Sequence, residues 1–167
     1  MSDVKQAFRE VMSRWATGVT VVGAGHDGRY VGLVASSFTS VSADPPTILV
    51  CVDQRSRSLD AIEASGAFSV NVLTQDQQRA FRVFAGMEGS IEDKFAASGE
   101  PVEPGKTGSP VIRNSLAWLD CRVVARHPGG TTHVILVGEV VECGAEHALS
   151  AHPLVYFSRA THRLATQ

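Results

Sequence analysis

GLVASSFTSVSADPPTILVCVDQRSRS, residues 32–58, sets two apolar runs on either side of a hydroxyl-rich bend. The first run belongs to Arg29–Ala35 and the second is Thr47–Asp53; both read as strands. Between them Ser36-Ser37-Phe38-Thr39-Ser40-Val41-Ser42 is a polar stretch, closed by Asp44-Pro45-Pro46. Upstream, Val19-Thr20-Val21-Val22 is β-branched and Gly25-His26-Asp27-Gly28 is turn chemistry, so residues 19–35 form a hairpin. Downstream, Ser58–Ser65 reads as a short helix stopped by Gly66, followed by the strand Ala67–Leu73. Gln75–Phe84 suggests a further helix, and residues 85–110, with five Gly and three Pro, a long surface loop. Ser115–Arg126 and Thr132–Cys143 are long strands joined through His127–Thr131, and Pro153–Ser158 is a last strand. At the start, Val4, Ala7, Phe8, Val11, Met12 and Trp15 recur at helical spacing, which predicts an amphipathic helix over about residues 3–16. Strands this numerous, joined by hairpins rather than by alternating helices, point to a mostly β, antiparallel barrel with short helices packed outside.

The chain has 167 residues, 44% hydrophobic and 19% charged, which is enough for one domain spanning 1–167 with its own core. Fifteen basic residues against 17 acidic ones give a formal charge of −2, with no run of one sign. That balance argues against a nucleic-acid or anionic-lipid surface. The apolar runs are strand-sized and the first residues lack signal-peptide character, so a cytoplasmic protein is expected. Cysteines at 51, 121 and 143 form no disulfide framework. Cys143, His147 and His152 lie near one another in sequence without completing a zinc spacing, so no metal is expected.

Gly23-Ala24-Gly25-His26-Asp27-Gly28 matches the glycine pattern of a dinucleotide turn. The pattern needs a helix to begin there and meet a pyrophosphate with its amides; RYVGLVAS is strand-like instead. It is read as the hairpin. Ser36 and Ser37 after one strand, and Ser56, Arg57 and Ser58 after the next, are different. Hydroxyls, free amides and a cation at two strand ends can cradle a phosphate, with the dipole of a helix starting at Ser58. The same hydroxyls could equally satisfy turns and cap that helix. No nucleophile elbow is present, so chemistry carried by a bound cofactor is the reading for a protein with such a polar pocket.

Taken in order, AFREVMSRWATGVTVV, the 32–58 stretch, AFSVNVL, DKF, LAWLDCRV, THVILVGEV and PLVYF resemble the flavin reductase family, and more narrowly the small reductase components of two-component flavin-dependent monooxygenases. The resemblance runs from about Phe8 to Tyr156. It implies a homodimeric FMN-binding split β-barrel, a bound FMN or FAD, and NADH or NADPH as the reductant. Carried over by position, it implies that Val34, Ala35, Ser36 and Ser37 line the flavin, with Ser36 and Ser37 near its phosphate or ribityl chain. It implies that Cys51, Val52 and Asp53 offer backbone groups to the ring, that Ser56, Arg57 and Ser58 form the phosphate loop, and that Phe84 packs on the flavin edge. His133 falls at the nicotinamide site and Tyr156 at an aromatic position of the C-terminal motif. Three departures stand out: Thr131-Thr132 replace the family's usual Gly-Asp before His133, Ser36 replaces a common Asn, and Ala160 and His162 replace the usual Gly and second Tyr. The expected activity is transfer of hydride from NAD(P)H to flavin, which then reaches a partner monooxygenase. A flavin-binding electron carrier, or a split-barrel oxidase without that turnover, is the alternative.

Overall fold

In a computed structural model, which describes residues 2–145 and 151–164, the chain opens with helix α1 (Ser2–Ser13) and a two-residue strand β1 (Thr17–Gly18). A hairpin of β2 (Thr20–His26) and β3 (Arg29–Ala35) follows. Its turn places Asp27 at φ 50° and Gly28 at φ 71°, the paired left-handed conformation that an Asp-Gly turn supplies. The glycine pattern of residues 23–28 is therefore hairpin and not helix start. Next come β4 (Thr39–Ala43), β5 (Pro46–Asp53), α2 (Arg57–Ser65), β6 (Ala67–Val72) and α3 (Gln78–Phe84). The rest is α4 (Lys94–Ser98), β7 (Val102–Pro104), β8 (Pro110–Ile112), β9 (Ala117–Gly129), β10 (His133–Gly144), β11 (Val155–Phe157) and β12 (Ala160–His162).

Seven strands form one antiparallel sheet in the order β3-β2-β6-β9-β10-β5-β4. The sheet curls until its ends approach: the Ser37 hydroxyl, just beyond β3, donates to the Cys51 carbonyl and accepts from the Cys51 amide in β5, both at 3.1 Å. Side chains on the inner face, among them Val22, Val50, Val52, Phe68, Val70, Val134 and Leu136, fill the barrel with Leu59 and Ile62 of α2. Each is almost wholly removed from water, a gain of roughly 1.5–3 kcal/mol apiece. The outer face of β2 is buried too, because Val19 and Val21 pack with Ala80, Phe81 and Phe84 of α3 and Phe95 of α4. This double burial explains why residues 19–24 show no polar alternation.

Several boundaries differ from the sequence reading. The first helix stops at Ser13, whose hydroxyl turns back to the Glu10 carbonyl, rather than near residue 16. The polar stretch 36–42 contains β4, an edge strand with every residue exposed. Residues 85–110 are not loop throughout, since α4, β7 and β8 lie within or across them. Phe95, Val111 and Ile112 are buried there. The carboxamide of Asn71, fully buried in β6, accepts from the Ile112 amide and donates to the Val21 carbonyl, tying β8 to the sheet. His147 lies outside the described residues. Among the described residues no helix is long and apolar enough to cross a membrane.

Candidate flavin site

Two cavities run along β3. The wider, about 1110 Å³, opens between α1 and the ends of β3 and β5. Ser36, Ser37 and Cys51 form one wall, Thr17, Thr20 and Tyr156 the floor, and Phe8, Met12 and Trp15 of α1 the opposite wall. Ser37 holds the Cys51 backbone, so its hydroxyl supports this wall. Ala35, almost fully buried, is fixed by the Thr20 hydroxyl donating to its carbonyl at 2.6 Å. Val34 is half-buried against the outer core and Val52 wholly inside the barrel, so their contribution to a ligand is backbone position. The Asp53 carboxylate accepts from the Arg55 amide and guanidinium at 2.8–3.2 Å, which holds its pKa down at about 2.

The second cavity, about 140 Å³, is small and polar. Gly32 and Leu33 form its floor, and Ser56, Arg57, Ser58 and Lys94 converge over it. Ser56 is the N-cap of α2, its oxygen accepting from the Ser58 amide at 3.2 Å. Arg57 makes no ion pair among the described residues. Lys94 donates to the Phe84 carbonyl at 3.1 Å, and its pKa is lowered by burial and then by the nearby positive Arg57. Two converging cations, two hydroxyls and a helix N-terminus fit a phosphate dianion. The sequence reading missed Lys94, although the DKF motif containing it was in view. The reason is that α4, which carries it, was read as loop. The Phe84 ring is only 2% exposed, edge-on to Phe95 at 4.7 Å, so Phe84 acts at the cradle through the carbonyl that anchors Lys94.

His133 lines none of these cavities. It opens β10 directly opposite Asp53, exposed, with its Nδ1 2.8 Å from the Thr132 hydroxyl. The Gln54 side chain donates to its carbonyl at 3.3 Å. Tyr156 instead sits in the small sheet β1-β11-β12, tilted against Phe81. A single chain thus keeps His133 and Tyr156 apart.

A curled antiparallel barrel that pairs a phosphate cradle with a ring-sized groove defines a protein built to hold a phosphorylated, planar cofactor. The chain belongs to the flavin reductase like domain family, whose model matches residues 12–165. It is 40% identical over 152 residues to the reductase subunit HsaB of a flavin-dependent monooxygenase from Mycobacterium tuberculosis, covering 91% of this chain and 78% of that protein. It is 37% identical over 161 residues to the FMN reductase (NADH) RutF of Pseudomonas syringae, covering 96% and 87%. Among solved structures, nitrilotriacetate monooxygenase component B from Mycobacterium thermoresistibile superposes with a TM-score of 0.88 at 36% identity, over 98% of this chain and 88% of that one.

Proposed function

We propose that this chain is an NAD(P)H:flavin oxidoreductase that supplies reduced FMN or FAD to a partner monooxygenase. The observation that carries the reading is the cradle of Ser56, Arg57, Ser58 and Lys94 beside a ring-sized groove on the same strand. The bound flavin supplies the hydride acceptor; the protein supplies alignment. Arg57 and Lys94 neutralise the phosphate, and Ser56 and Ser58 orient it. The backbone at Ala35–Ser37 and Cys51–Asp53 forms the wall against which the ring lies, braced by the Ser37 and Thr20 hydroxyls. His133, oriented through Nδ1 by Thr132, is the group assigned to the nicotinamide, in place of the usual acidic neighbour. Tyr156 lines the groove and bounds the stacking space from below.

The working form on this reading is a homodimer, because α1 offers its apolar side chains to water in the single chain. Three free thiols, and an intracellular nicotinamide as reductant, place it in the cytoplasm. Relatives named as reductase subunits of monooxygenases support delivery of reduced flavin to an oxygenase.

The test is to mix the protein with NADH or NADPH and free FMN or FAD, and to follow the nicotinamide absorbance. Flavin-dependent oxidation is expected with at least one pair. Flavin binding with no oxidation by either nicotinamide would leave an electron carrier as the better description.

A further inference from the structure

A third cavity, about 550 Å³, continues from the cradle toward the hairpin turn. It shares Tyr30, Val31, Arg57 and Glu92 with the cradle, so the two are one channel with Arg57 at the junction. Strand β3 works as a ruler. At about 3.3 Å per residue, the groove at Ser36 lies roughly 10 Å from the cradle at Leu33, and the far cavity at Tyr30 another 10 Å on. Its size falls within the range of small-molecule sites, roughly 300–1,000 Å³.

The lining changes character beyond Arg57. Tyr30, Phe95 and Val102 give an apolar wall, the Tyr30 ring standing edge-on to Phe95 at 5.9 Å. Across it lie the carboxylates of Glu92, Asp93 and Glu100, with Arg29 held to Glu92 at 3.5 Å. Asp93 is already committed to capping α4 through the Ala96 amide. Cations sit at the cradle end and acceptors at the far end. A second phosphate therefore belongs beside Arg57, and the deep part suits a flat, uncharged group rich in hydroxyl and amino donors.

We propose that this cavity binds the adenosine monophosphate half of FAD, so that the chain takes FAD in preference to FMN. The inference rests on the flavin reading above. The outer phosphate meets Arg57, the ribose hydroxyls donate to Glu92 or Glu100, and adenine lies along Tyr30 and Val102. Free NADH carries the same adenosine group, but the cavity is continuous with the flavin phosphate cradle and remote from His133. FAD is therefore its source.

The experiment titrates FMN and FAD by flavin fluorescence into the wild-type protein and into Ala96→Trp, which fills the cavity from the exposed face of α4. Wild type should bind FAD at least about tenfold tighter than FMN, and Ala96→Trp should erase that ratio with FMN affinity within about twofold. As a measurement that needs no variant, AMP should raise the apparent Kd for FAD and leave that for FMN unchanged. Equal affinities in the wild type, or AMP competing with neither flavin, would overturn the proposal while FMN-dependent NADH oxidation left the reductase reading standing. A raised KM for NADH in Ala96→Trp, with the FAD to FMN ratio intact, would assign the cavity to the nicotinamide cofactor and equally overturn it. Failure of both flavins to bind would remove the reductase reading together with this one.

Discussion

Ser37 spends its hydroxyl on both backbone groups of Cys51, which leaves the Cys51 thiol with no hydrogen bond among the described residues. If that strand end serves the flavin through its backbone, Cys51→Ser should keep flavin binding and most of the turnover. A loss beyond a hundredfold in kcat, about 2.7 kcal/mol of barrier, would show the thiol to be chemically engaged. His133 should behave differently, because its ring is set by Thr132 at a distance from the cradle. His133→Ala is expected to raise the KM for NADH with flavin affinity within about twofold, and stopped-flow kinetics with separate flavin titration checks the split. Asp53 gives a pH signature. Its carboxylate, held at about 2 by Arg55 against an ordinary 3.8, favours the folded state above the ordinary value. That contribution fades as pH falls through about 2. Asp53→Asn should therefore lower the urea midpoint near neutral pH and converge with wild type in strong acid. The exposed pair makes the difference small and salt-sensitive.

The N-terminus of α2 and the short helix α4 make the cradle together, although 36 positions separate Arg57 from the start of the motif Lys94-Phe95 in the chain's numbering only loosely suggests. Ser56→Ala removes the N-cap and should cost about 1 kcal/mol of stability by denaturant unfolding. Lys94→Gln should weaken FMN roughly ten- to a hundredfold, since a bond to a charged group is worth about 1.5–3 kcal/mol, with riboflavin, which lacks the phosphate, almost unaffected. Equal losses for FMN and riboflavin would place Lys94 in support of the fold rather than on the phosphate. The same elements show what the sequence could tell. The first hairpin, α2 with its Gly66 stop and the β9–β10 pair were legible, because Asp-Gly turns, a left-handed C-cap at φ 67° and β-branched runs are local signals. Helix α4 was not, since five residues carry too little periodicity; its formation depends on Phe95 packing against Phe84 and Tyr30 from distant elements. Strand β4 was hidden because every side chain is exposed and hydroxyl-rich. Ser36–Ser37 and Ser56–Ser58 were both picked out by their hydroxyls, but only the fold assigns them to separate cavities.

At the scale of the molecule, the wide groove is walled on one side by a helix that barely touches its own barrel. Phe8 is 62% exposed, Val11 66% and Trp15 68%, although all three lie on the apolar stripe of α1. A helix draws most of its stability from burying such a stripe, and an exposed apolar patch beside a ligand groove marks a contact surface. A second copy of the chain supplies that contact with the fewest assumptions, and it would also shelter the groove and bring a second His133 into play. Light scattering coupled to size exclusion should give about twice the 17.8 kDa chain mass at micromolar concentration. Phe8→Asp with Trp15→Ser should shift it to the single-chain mass, leave the barrel's circular dichroism in place and reduce flavin turnover. Charge placed on that stripe opposes association, whereas neither residue belongs to the core. A wild-type protein found only at the single-chain mass would overturn the dimer. A double variant that dissociated with full turnover would show that each barrel holds a complete site by itself, and that α1 serves assembly alone.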